Sequence, residues 1–466
     1  MDELLNSSLV NIAAAIRNRQ VNSEQLVRGF LDRIERVNAQ LNAVVNLTAE
    51  NALESARKAD RELADGHISG PLHGIPMTIK DSLDTKNVVT TWGTLGRADF
   101  VPGVDATCVG RLRDAGAILM GKTNTPEFTL SFQTDNLVYG ETRNPWDTAR
   151  TPGGSSGGAA AIIAAGGSPL DVGTDTGGSV RLPSHFCGIA CIKPTTGRIP
   201  CTGNALPSSG LIAPLTQPGP MARYVSDLIL SLRIMSGPDL IDPHALDAPW
   251  RDPYAVSLDS LRIGYHCDNG IKTPHADIVT TVESVARHAR DDDFKVTEAR
   301  PSGIEMAGFL FPRLFTADGG QMLEALLEDC RTAQASPRLE ASRQHASVSM
   351  SNREFAQLIT LWHNYQSSML SYFNDFDLLV CPVNATTALP LGTDEDLQGY
   401  TYTSAYNLTG WPGVIVRAGT DSQGLPIGVQ ILARPFREDH CLAFALWLEE
   451  KLDPFSPPPV HGQMDR

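Results

Sequence analysis

The sequence predicts an α/β fold in which helices cover a mixed β-sheet. A helical pattern at residues 107–115 is followed at once by a strand pattern at 118–120. A strand, a helix and a second strand are predicted at 261–265, 275–288 and 294–297. Such an alternation is typical of sheets with helical cover. The 466 residues also contain no Pro/Ser-rich or charged linker that would divide the chain.

The N-terminal part of the chain is predicted to be mainly helical. Asn22 and Ser23 have the side chains of a helix N-cap. The apolar residues that follow recur at intervals of three and four, which predicts an amphipathic helix: Leu26, Phe30, Ile34 and Val37. A short strand is predicted at 44–47 and a second helix with charged faces at 48–63. No chemistry is evident in this part of the chain.

A predicted strand at 75–80 ends on Lys80, which is followed by Asp81. An arbitrary lysine at a strand end is usually solvated, but the residues before Lys80 are mainly small or apolar. They would draw the ammonium group into the interior, where the loss of hydration lowers a lysine pKa. A neutral lysine can act as a general base. Lys122, after the next predicted strand, is a rival for the same role.

Two glycine-rich turns are the strongest chemical signal in the sequence. Gly153-Gly-Ser-Ser-Gly-Gly158 contains Ser155, and Thr174-Asp-Thr-Gly-Gly-Ser179 ends on Ser179. Because glycine lets the backbone approach a ligand closely, such turns can expose a serine and aim several N–H groups at one point. Acyl transfer needs a nucleophile beside donors that stabilise an oxyanion.

Other interpretations of these turns are weaker. Glycine- and serine-rich segments are often linkers, but an apolar, alanine-rich helix that would have to be buried follows at 159–165. Neither turn has the Gly-x-x-x-x-Gly-Lys-Ser/Thr pattern of a phosphate-binding loop. A Ser-His-Asp triad is the rival catalytic arrangement, since His185 follows Ser179 by six residues. The Gly-x-Ser-x-Gly pattern is missing around Ser179, so His185 is expected to pack or to line a pocket.

The second half of the chain supplies further strands and one ambiguous apolar segment. Strands are predicted at 377–381, 414–416 and 427–433, and a closing helix at 439–451. The segment 309–315, Phe-Leu-Phe-Pro-Arg-Leu-Phe, is interpreted either as core packing or as a wall or lid of a substrate pocket. The second interpretation would favour a substrate with a bulky apolar or aromatic group.

Composition argues against several classes of function. The net charge of −15, from 38 basic and 53 acidic residues, argues against nucleic acid or an anionic membrane as a partner. The eight cysteines form no C-x-x-C pair and are interpreted as buried free thiols, and no metal site is predicted. The N-terminus does not resemble a secretory signal, and no apolar run approaches the ~20 residues of a membrane span. A cytoplasmic enzyme without metal or cofactor is therefore expected.

Several separated motifs resemble those of the amidase signature family. They occur in the family's order and spacing at residues 74–81, 121–128, 151–159, 173–181, 187–194, 407–413 and 424–430. The match extends from about residue 5 to about residue 450 and is weak from about 235 to 350. Arg417 departs from the family pattern, which commonly has a proline at this position.

This resemblance implies one amidase signature domain over residues 1–466, with a central mixed β-sheet covered by helices on both faces. The signature core would span about residues 74–215, and a variable region that forms the substrate pocket or a lid would span about 235–350. Residues 129–132 would lie near the acyl-binding pocket. A monomer or a homodimer is expected.

The resemblance also implies a Ser-Ser-Lys triad. Ser179 would attack the substrate carbonyl, Ser155 would bridge nucleophile and base, often with a cis peptide bond, and Lys80 would be the base. Lys122 would then be structural. The backbone N–H groups expected to form the oxyanion hole are those of Thr176, Gly177, Gly178 and Ser179. The expected supporting residues are Ser156, which would hydrogen-bond within the network, and the charge pair Asp175 and Arg181.

The implied activity is hydrolysis of linear amide C–N bonds through an acyl-enzyme, on small amides with bulky apolar or aryl groups. Esters or carbamates (urethanes) could also be cleaved, because only the leaving group changes. The alternative is the glutaminase subunit of a tRNA-dependent amidotransferase, which works with partner proteins and needs polar residues that hold glutamine. The variable region shows no counterpart for those residues. A non-catalytic binding protein is disfavoured by the complete set of Lys80, Ser155 and Ser179.

Overall fold

The computed structural model describes residues 1–346, 350–452 and 455–461. Its strands are β1 (Val44–Leu47), β2 (Pro76–Lys80), β3 (Ile118–Thr123), β4 (Asp135–Asn136), β5 (Gly140–Glu141), β6 (Leu170–Asp175), β7 (Ala190–Lys193), β8 (Gln217–Ala222), β9 (Arg262–Tyr265), β10 (Lys295–Glu298), β11 (Leu378–Pro382), β12 (Gly413–Thr420) and β13 (Pro426–Ala433).

Its α-helices are α1 (Asp2–Leu5), α2 (Leu9–Arg17), α3 (Ser23–Leu41), α4 (Ala49–Ala64), α5 (Thr107–Asp114), α6 (Gly157–Ala164), α7 (Arg181–Cys187), α8 (Val225–Met235), α9 (Ala276–Asp291), α10 (Ala307–Thr316), α11 (Gln321–Asp329), α12 (Pro337–Ala346), α13 (Asn352–Leu370), α14 (Thr401–Leu408) and α15 (Glu438–Leu452). The predicted strands and helices all overlap elements in these two series.

A mixed sheet forms the centre of the molecule. In the described residues it has eight strands in the order β10-β9-β11-β13-β12-β7-β8-β6. β9 is parallel to β10 and β11, and the other neighbouring pairs are antiparallel. A smaller sheet, β1-β3-β2, lies beside β6. The two sheets are joined there by Thr78 Oγ1 of β2, which donates to Asp171 Oδ2 of β6 at 2.6 Å. The predicted α/β class with a central mixed sheet is confirmed.

Helices cover both faces of this sheet. The side chains of one strand show this, because successive residues point to opposite faces. Val414 and Val416 of β12 belong to a buried cluster that includes residues of α8, α9 and α15. Ile415, between them, belongs to a different cluster with residues of α6 and α7. The prediction of helical cover on both faces is therefore also confirmed.

Two helices form for the reasons that the sequence indicated. α3 begins with a capping box, in which Asn22 Oδ1 accepts from the N–H group of Gln25 at 2.7 Å and the Gln25 side chain accepts from the N–H group of Asn22 at 3.3 Å. α6 follows the first serine turn, and all eight of its residues are buried. A flexible linker would not be enclosed in this way, so the linker interpretation of the first turn is wrong.

The variable region contains helices that its sequence pattern did not predict. α10 includes the ambiguous segment 309–315, and its Leu310 and Leu314 are buried in an apolar cluster with residues of α13 and α14. The core interpretation is therefore confirmed for this face of α10. Phe309 on another face is 39% exposed.

The remaining composition-based predictions concern cysteines and membranes. All eight cysteines are free thiols, and seven of them are buried, whereas Cys267 is partly exposed. Among the helices that the structure describes, none has both the length and the apolar character that crossing a membrane requires. Arg417, which had no predicted role, lies over the ring of Trp146 at 4.5 Å from the centroid and donates to Thr420 Oγ1 at 2.9 Å. It tethers β12 to the segment that precedes the first serine turn.

Candidate active site

Lys80 is the last residue of β2 and is fully buried among hydroxyl groups. Its Nζ donates to Ser155 Oγ at 2.7 Å, to Ser156 Oγ at 2.9 Å and to Thr174 Oγ1 at 2.9 Å. Three hydroxyl oxygens therefore take up the three N–H groups that an ammonium would offer. The strand end, the first serine turn and β6 meet at this one amine.

Burial lowers the pKa of Lys80 well below its usual value of 10.5, because the charged form loses its hydration. The carboxylates of Asp175 and Asp171 oppose this shift but do not cancel it. Asp171 is itself buried, and its loss of hydration raises its pKa to about 7. A lowered lysine pKa favours the neutral amine, which is the form that can accept a proton.

The first serine turn lies deep in the protein. The peptide bond between Gly154 and Ser155 is cis, and Ser155 is fully buried. A Cβ atom on Gly154 would lie 2.6 Å from the backbone of Phe132 and Gln133, so this glycine permits close contact with that segment. The N–H group of Ser156 donates to the carbonyl oxygen of Ser179 at 3.1 Å, which joins the two turns directly.

The second serine turn follows β6 and places Ser179 two residues before the first residue of α7. Ser179 is 6% exposed, and in the described residues no hydrogen bond joins its Oγ to Ser155 Oγ. Catalytic hydrogen bonds are often long without substrate and tighten in the complex. The N–H groups of Gly177 and Ser179 take part in no backbone hydrogen bond of the described residues.

One of the four N–H groups expected in the oxyanion hole is engaged within the turn itself. The N–H group of Gly178 donates to Asp175 Oδ1 at 2.9 Å and is therefore already paired. Gly178 has a φ of +138°, and a Cβ atom there would overlap Thr403 Oγ1. Gly178 thus permits both the shape of this turn and its close contact with α14.

A buried ion pair holds this turn. Arg181 Nη2 lies 2.9 Å from Asp175 Oδ1, Arg181 Nε lies 3.0 Å from Asp175 Oδ2, and both side chains are completely buried. Asp175 also accepts from the N–H groups of Gly178 and Val180. Burial would raise the pKa of Asp175, but the charge and hydrogen bonds of Arg181, together with Lys193 and the Asn407 side chain, hold it below its usual value.

The two rival residues lie in other surroundings. Nδ1 of His185 accepts from the N–H group of Gly428 at 2.8 Å, and its Nε2 lies 3.1 Å from the carbonyl oxygen of Thr386. Both ring nitrogens are therefore occupied by backbone groups, as expected for a packing residue. Lys122 Nζ donates to the carbonyl oxygen of Leu83 at 2.5 Å and to Thr85 Oγ1 at 2.7 Å, so it holds the segment after β2.

Aromatic side chains border the second turn. A Cβ atom on Gly177 would lie 2.8 Å from Phe311 Cζ and 3.3 Å from Phe132 Cζ. Phe311 comes from α10, and its ring centroid lies 5.4 Å from that of Phe315. The ring of Phe132 stacks on Tyr400 with centroids 3.9 Å apart. One face of α10 therefore packs in the core, and Phe311 reaches the predicted catalytic turns.

The amidase family model matches residues 25–442. The chain belongs to the amidase signature family. Its relatives include a glutamyl-tRNA(Gln) amidotransferase subunit of Natranaerobius thermophilus, with 31% identity over 98% of this chain and 97% of the relative. Indoleacetamide hydrolase of Bradyrhizobium diazoefficiens is 32% identical over 95% of this chain and 86% of the relative.

A solved structure shows the same fold. That of 6-aminohexanoate cyclic dimer hydrolase with its substrate has a TM-score of 0.89 and 26% identity, over 98% of this chain and 99% of the other. Family membership makes the protein an amidohydrolase that acts on amide carbon–nitrogen bonds.

Some contacts of this amidase site were not predicted from the sequence. Asn407 of α14 donates to Asp175 Oδ1 at 2.8 Å and accepts from Arg181 Nη2 at 2.5 Å. Thr403 of the same helix donates to the carbonyl oxygen of Gly177 at 2.7 Å. Asn407 begins one of the family motifs, which was the available signal for it.

Replacing Arg181 by methionine should destabilise the amidase strongly. The substitution leaves the carboxylate of Asp175 buried without its main partner, which typically costs about 3–5 kcal/mol. The measurement is the urea midpoint of unfolding, followed by circular dichroism. Arg262→Met is the matched control, because Arg262 makes a similar 3.0 Å pair with Asp377 but is 44% exposed. Equal shifts in the two variants would contradict the stabilising role of the buried pair.

Proposed function

We propose that this amidase hydrolyses linear amide C–N bonds through a triad of Ser179, Ser155 and Lys80 and an acyl-enzyme intermediate. The observation that carries the proposal is the 2.7 Å hydrogen bond between the buried amine of Lys80 and Ser155 Oγ, beside the turn that bears Ser179. A buried lysine with a lowered pKa is costly for stability and is typical of functional sites.

In the proposed reaction, neutral Lys80 accepts a proton from Ser155 Oγ while Ser155 takes the proton of Ser179. Ser179 Oγ attacks the carbonyl carbon, and the carbonyl oxygen acquires the negative charge. The C–N bond breaks as Ser155 gives a proton to the leaving nitrogen and regains one from Lys80. Water then attacks the acyl-enzyme by the same route, which releases the acid and restores Ser179.

The oxyanion hole is proposed to consist of the N–H groups of Thr176, Gly177 and Ser179. Preorganised donors of this kind stabilise charge that develops in the transition state. Two further roles are proposed at a distance from the reacting atoms. Ser156 Oγ accepts a hydrogen bond from Lys80 Nζ, as Ser155 Oγ does, and so helps to position the amine. The ion pair of Asp175 and Arg181 holds the second serine turn.

The proposed substrates are small amides with a bulky apolar or aryl acyl group. The rings of Phe132 and Phe311 beside Gly177 support this choice, because apolar pockets favour apolar groups. A relative that is 32% identical is named for indoleacetamide, an aromatic amide. Aryl carbamates and esters are proposed as further substrates, since the same nucleophile would attack their carbonyl group.

The test is a hydrolysis panel on the purified protein alone. It contains phenylacetamide, acetamide, an aryl nitroanilide, an aryl carbamate and glutamine. We expect turnover of phenylacetamide above that of acetamide and no turnover of glutamine. Turnover of glutamine alone would overturn the proposal.

A second candidate is the glutaminase subunit of a tRNA-dependent amidotransferase. Relatives with 31% and 34% identity that are named as subunits of a glutamyl-tRNA(Gln) amidotransferase favour it. In that case glutamine hydrolysis would rise when the partner proteins are co-expressed. Unchanged activity with those partners, together with turnover of phenylacetamide, would exclude this candidate.

The rate should rise with pH, because Lys80 must be neutral to accept a proton. The amine is neutral only above its pKa, so kcat/KM increases through that pKa and is constant above it. The measurement is kcat/KM for phenylacetamide from about pH 4 to about pH 10. Burial lowers the pKa of His185 to about 4, so a histidine base would place the rise in the acid range. The two bases are distinguished by Lys80→Met, because a rise that persists unchanged in that variant would contradict the lysine base.

A further inference from the structure

A carboxylate distant in sequence holds the segment that contains Phe132. Glu395 Oε1 accepts from Ser131 Oγ at 2.5 Å and from the N–H group of Phe132 at 2.9 Å. Gln133 Nε2 donates to the carbonyl oxygen of Thr393 at 2.6 Å in the same region. The loop before α14 therefore binds residues 131–133 by side-chain and backbone contacts.

In space, the segment that Glu395 holds contacts both serine turns. Its backbone at Phe132 and Gln133 packs against Gly154, which precedes Ser155. The Phe132 ring reaches Gly177 in the second turn and stacks on Tyr400. Because Phe132 is fixed at its backbone by Glu395, a change at residue 395 can move a ring beside the oxyanion turn.

The variable region contributes a cation to the same place. Arg338 of α12 lies with its Nε 2.8 Å from Asp135 Oδ1 and with its Nη1 3.9 Å from Glu395 Oε1. Burial raises the pKa of Glu395, while its hydrogen bonds and Arg338 oppose that shift. The carboxylate thus links three parts of the chain at one edge of the site.

We propose that Glu395 is a positioning residue for substrate selection: it fixes Phe132 against Gly177 and so forms the wall that receives a bulky or aryl acyl group. Glu395 touches no reacting atom and acts through Phe132. This inference rests on the proposed amidase function. Since a wall of this kind contributes binding energy to the large acyl group, its loss raises KM for that group and leaves kcat nearly unchanged.

The test compares phenylacetamide with acetamide, which differ only in the acyl group and both release ammonia. Glu395→Ala should lower the ratio of their kcat/KM values about tenfold, mainly through KM for phenylacetamide. Glu395→Gln should restore most of the ratio, because its amide oxygen can still accept from Ser131 and Phe132. An equal loss on both substrates, or an unchanged ratio, would overturn the proposal.

A matched control shows whether the effect of Glu395→Ala comes from the position of Phe132 or from the loss of an ion pair to α12. Glu324 pairs with Arg343 of that helix at 2.7 Å, and no hydrogen bond of the described residues joins Glu324 to the 131–133 segment. Glu324→Ala should therefore leave the ratio unchanged. A fall in the ratio equal to that of Glu395→Ala would overturn the proposal.

A double-variant cycle tests whether Glu395 acts through Phe132. Phe132→Ala alone should lower the ratio, and adding Glu395→Ala should lower it no further. Additive losses would contradict the proposal. This comparison also holds if Glu395→Ala is partly destabilised, because the ratio is measured within each variant.

Failure of the proposed amidase function would be recognised separately. Ser179 can be labelled with a phenyl-bearing and a methyl fluorophosphonate, whose relative rates report the same wall without amide turnover. If the parent is labelled but hydrolyses no amide, the proposed function fails. In that case a lower preference of Glu395→Ala for the phenyl probe would support the inference about Glu395, and an unchanged preference would overturn it.

Discussion

Ser179→Ala is expected to abolish amide hydrolysis. The alanine removes the atom that would form the acyl-enzyme, and loss of a nucleophile in related catalytic units costs about 10⁴-fold or more in kcat. The measurement is turnover of phenylacetamide, together with labelling by a fluorophosphonate, which should also disappear. Ser155→Ala should retain more activity than Ser179→Ala, because water can partly replace a bridging hydroxyl.

The control for this variant is Ser184→Ala. Ser184 is a buried serine on α7, the helix that follows Ser179, and its Oγ donates to the carbonyl oxygen of Val180 at 2.9 Å. Its substitution removes the same hydroxyl group from a neighbouring position, and activity should stay within a fewfold of the parent. Full turnover in Ser179→Ala would refute the nucleophile assignment.

Lys80→Met should lower kcat/KM by roughly 10³-fold, the usual effect of losing a general base. Methionine occupies a similar volume without a basic nitrogen, so the hydroxyls of Ser155 and Ser156 lose their common partner. The measurement is kcat/KM across the pH range in which the parent shows its rise. The residual rate of the variant should no longer depend on the lysine titration.

Lys122→Met is the matched control for a buried lysine. The hydrogen bonds of Lys122 go to the segment after β2 and to neither serine turn, so its loss should lower the unfolding temperature and retain the pH profile. Burial lowers the pKa of Lys122 to about 8, so this lysine could also be neutral and act as a base near that pH. If Lys122→Met removed the pH-dependent rise and Lys80→Met did not, the base would have to be reassigned.

Much of the fold was predictable because its signals are local. The capping box at the start of α3, the apolar run of α6 and the strand that ends on Lys80 are each encoded within about twenty residues. The two serine turns were recognisable for the same reason. Their glycines are needed where other groups come close, namely the backbone of residues 132–133 at Gly154 and the Thr403 side chain at Gly178.

The contacts that organise the site were not predictable in this way. Asn407 reaches Asp175 across 232 positions, and Glu395 reaches Ser131 across 264. No periodicity or local motif indicates which distant polar group will supply a hydrogen bond. The pairing of the Gly178 N–H group with Asp175 was equally hidden, because a glycine-rich turn can direct its amides either outward or toward its own carboxylate.

By itself, the sequence therefore determined the α/β class, the family resemblance and the candidate residues Lys80, Ser155 and Ser179. The tertiary structure decided which groups meet. It brings three hydroxyl groups to the Lys80 amine and a hydrogen bond from Thr403 of α14 to the second serine turn, and it determines which face of α10 packs in the core. The physical reason is that backbone propensity and apolar periodicity act over a few residues, whereas burial and hydrogen bonding of polar groups depend on neighbours that only the folded chain supplies.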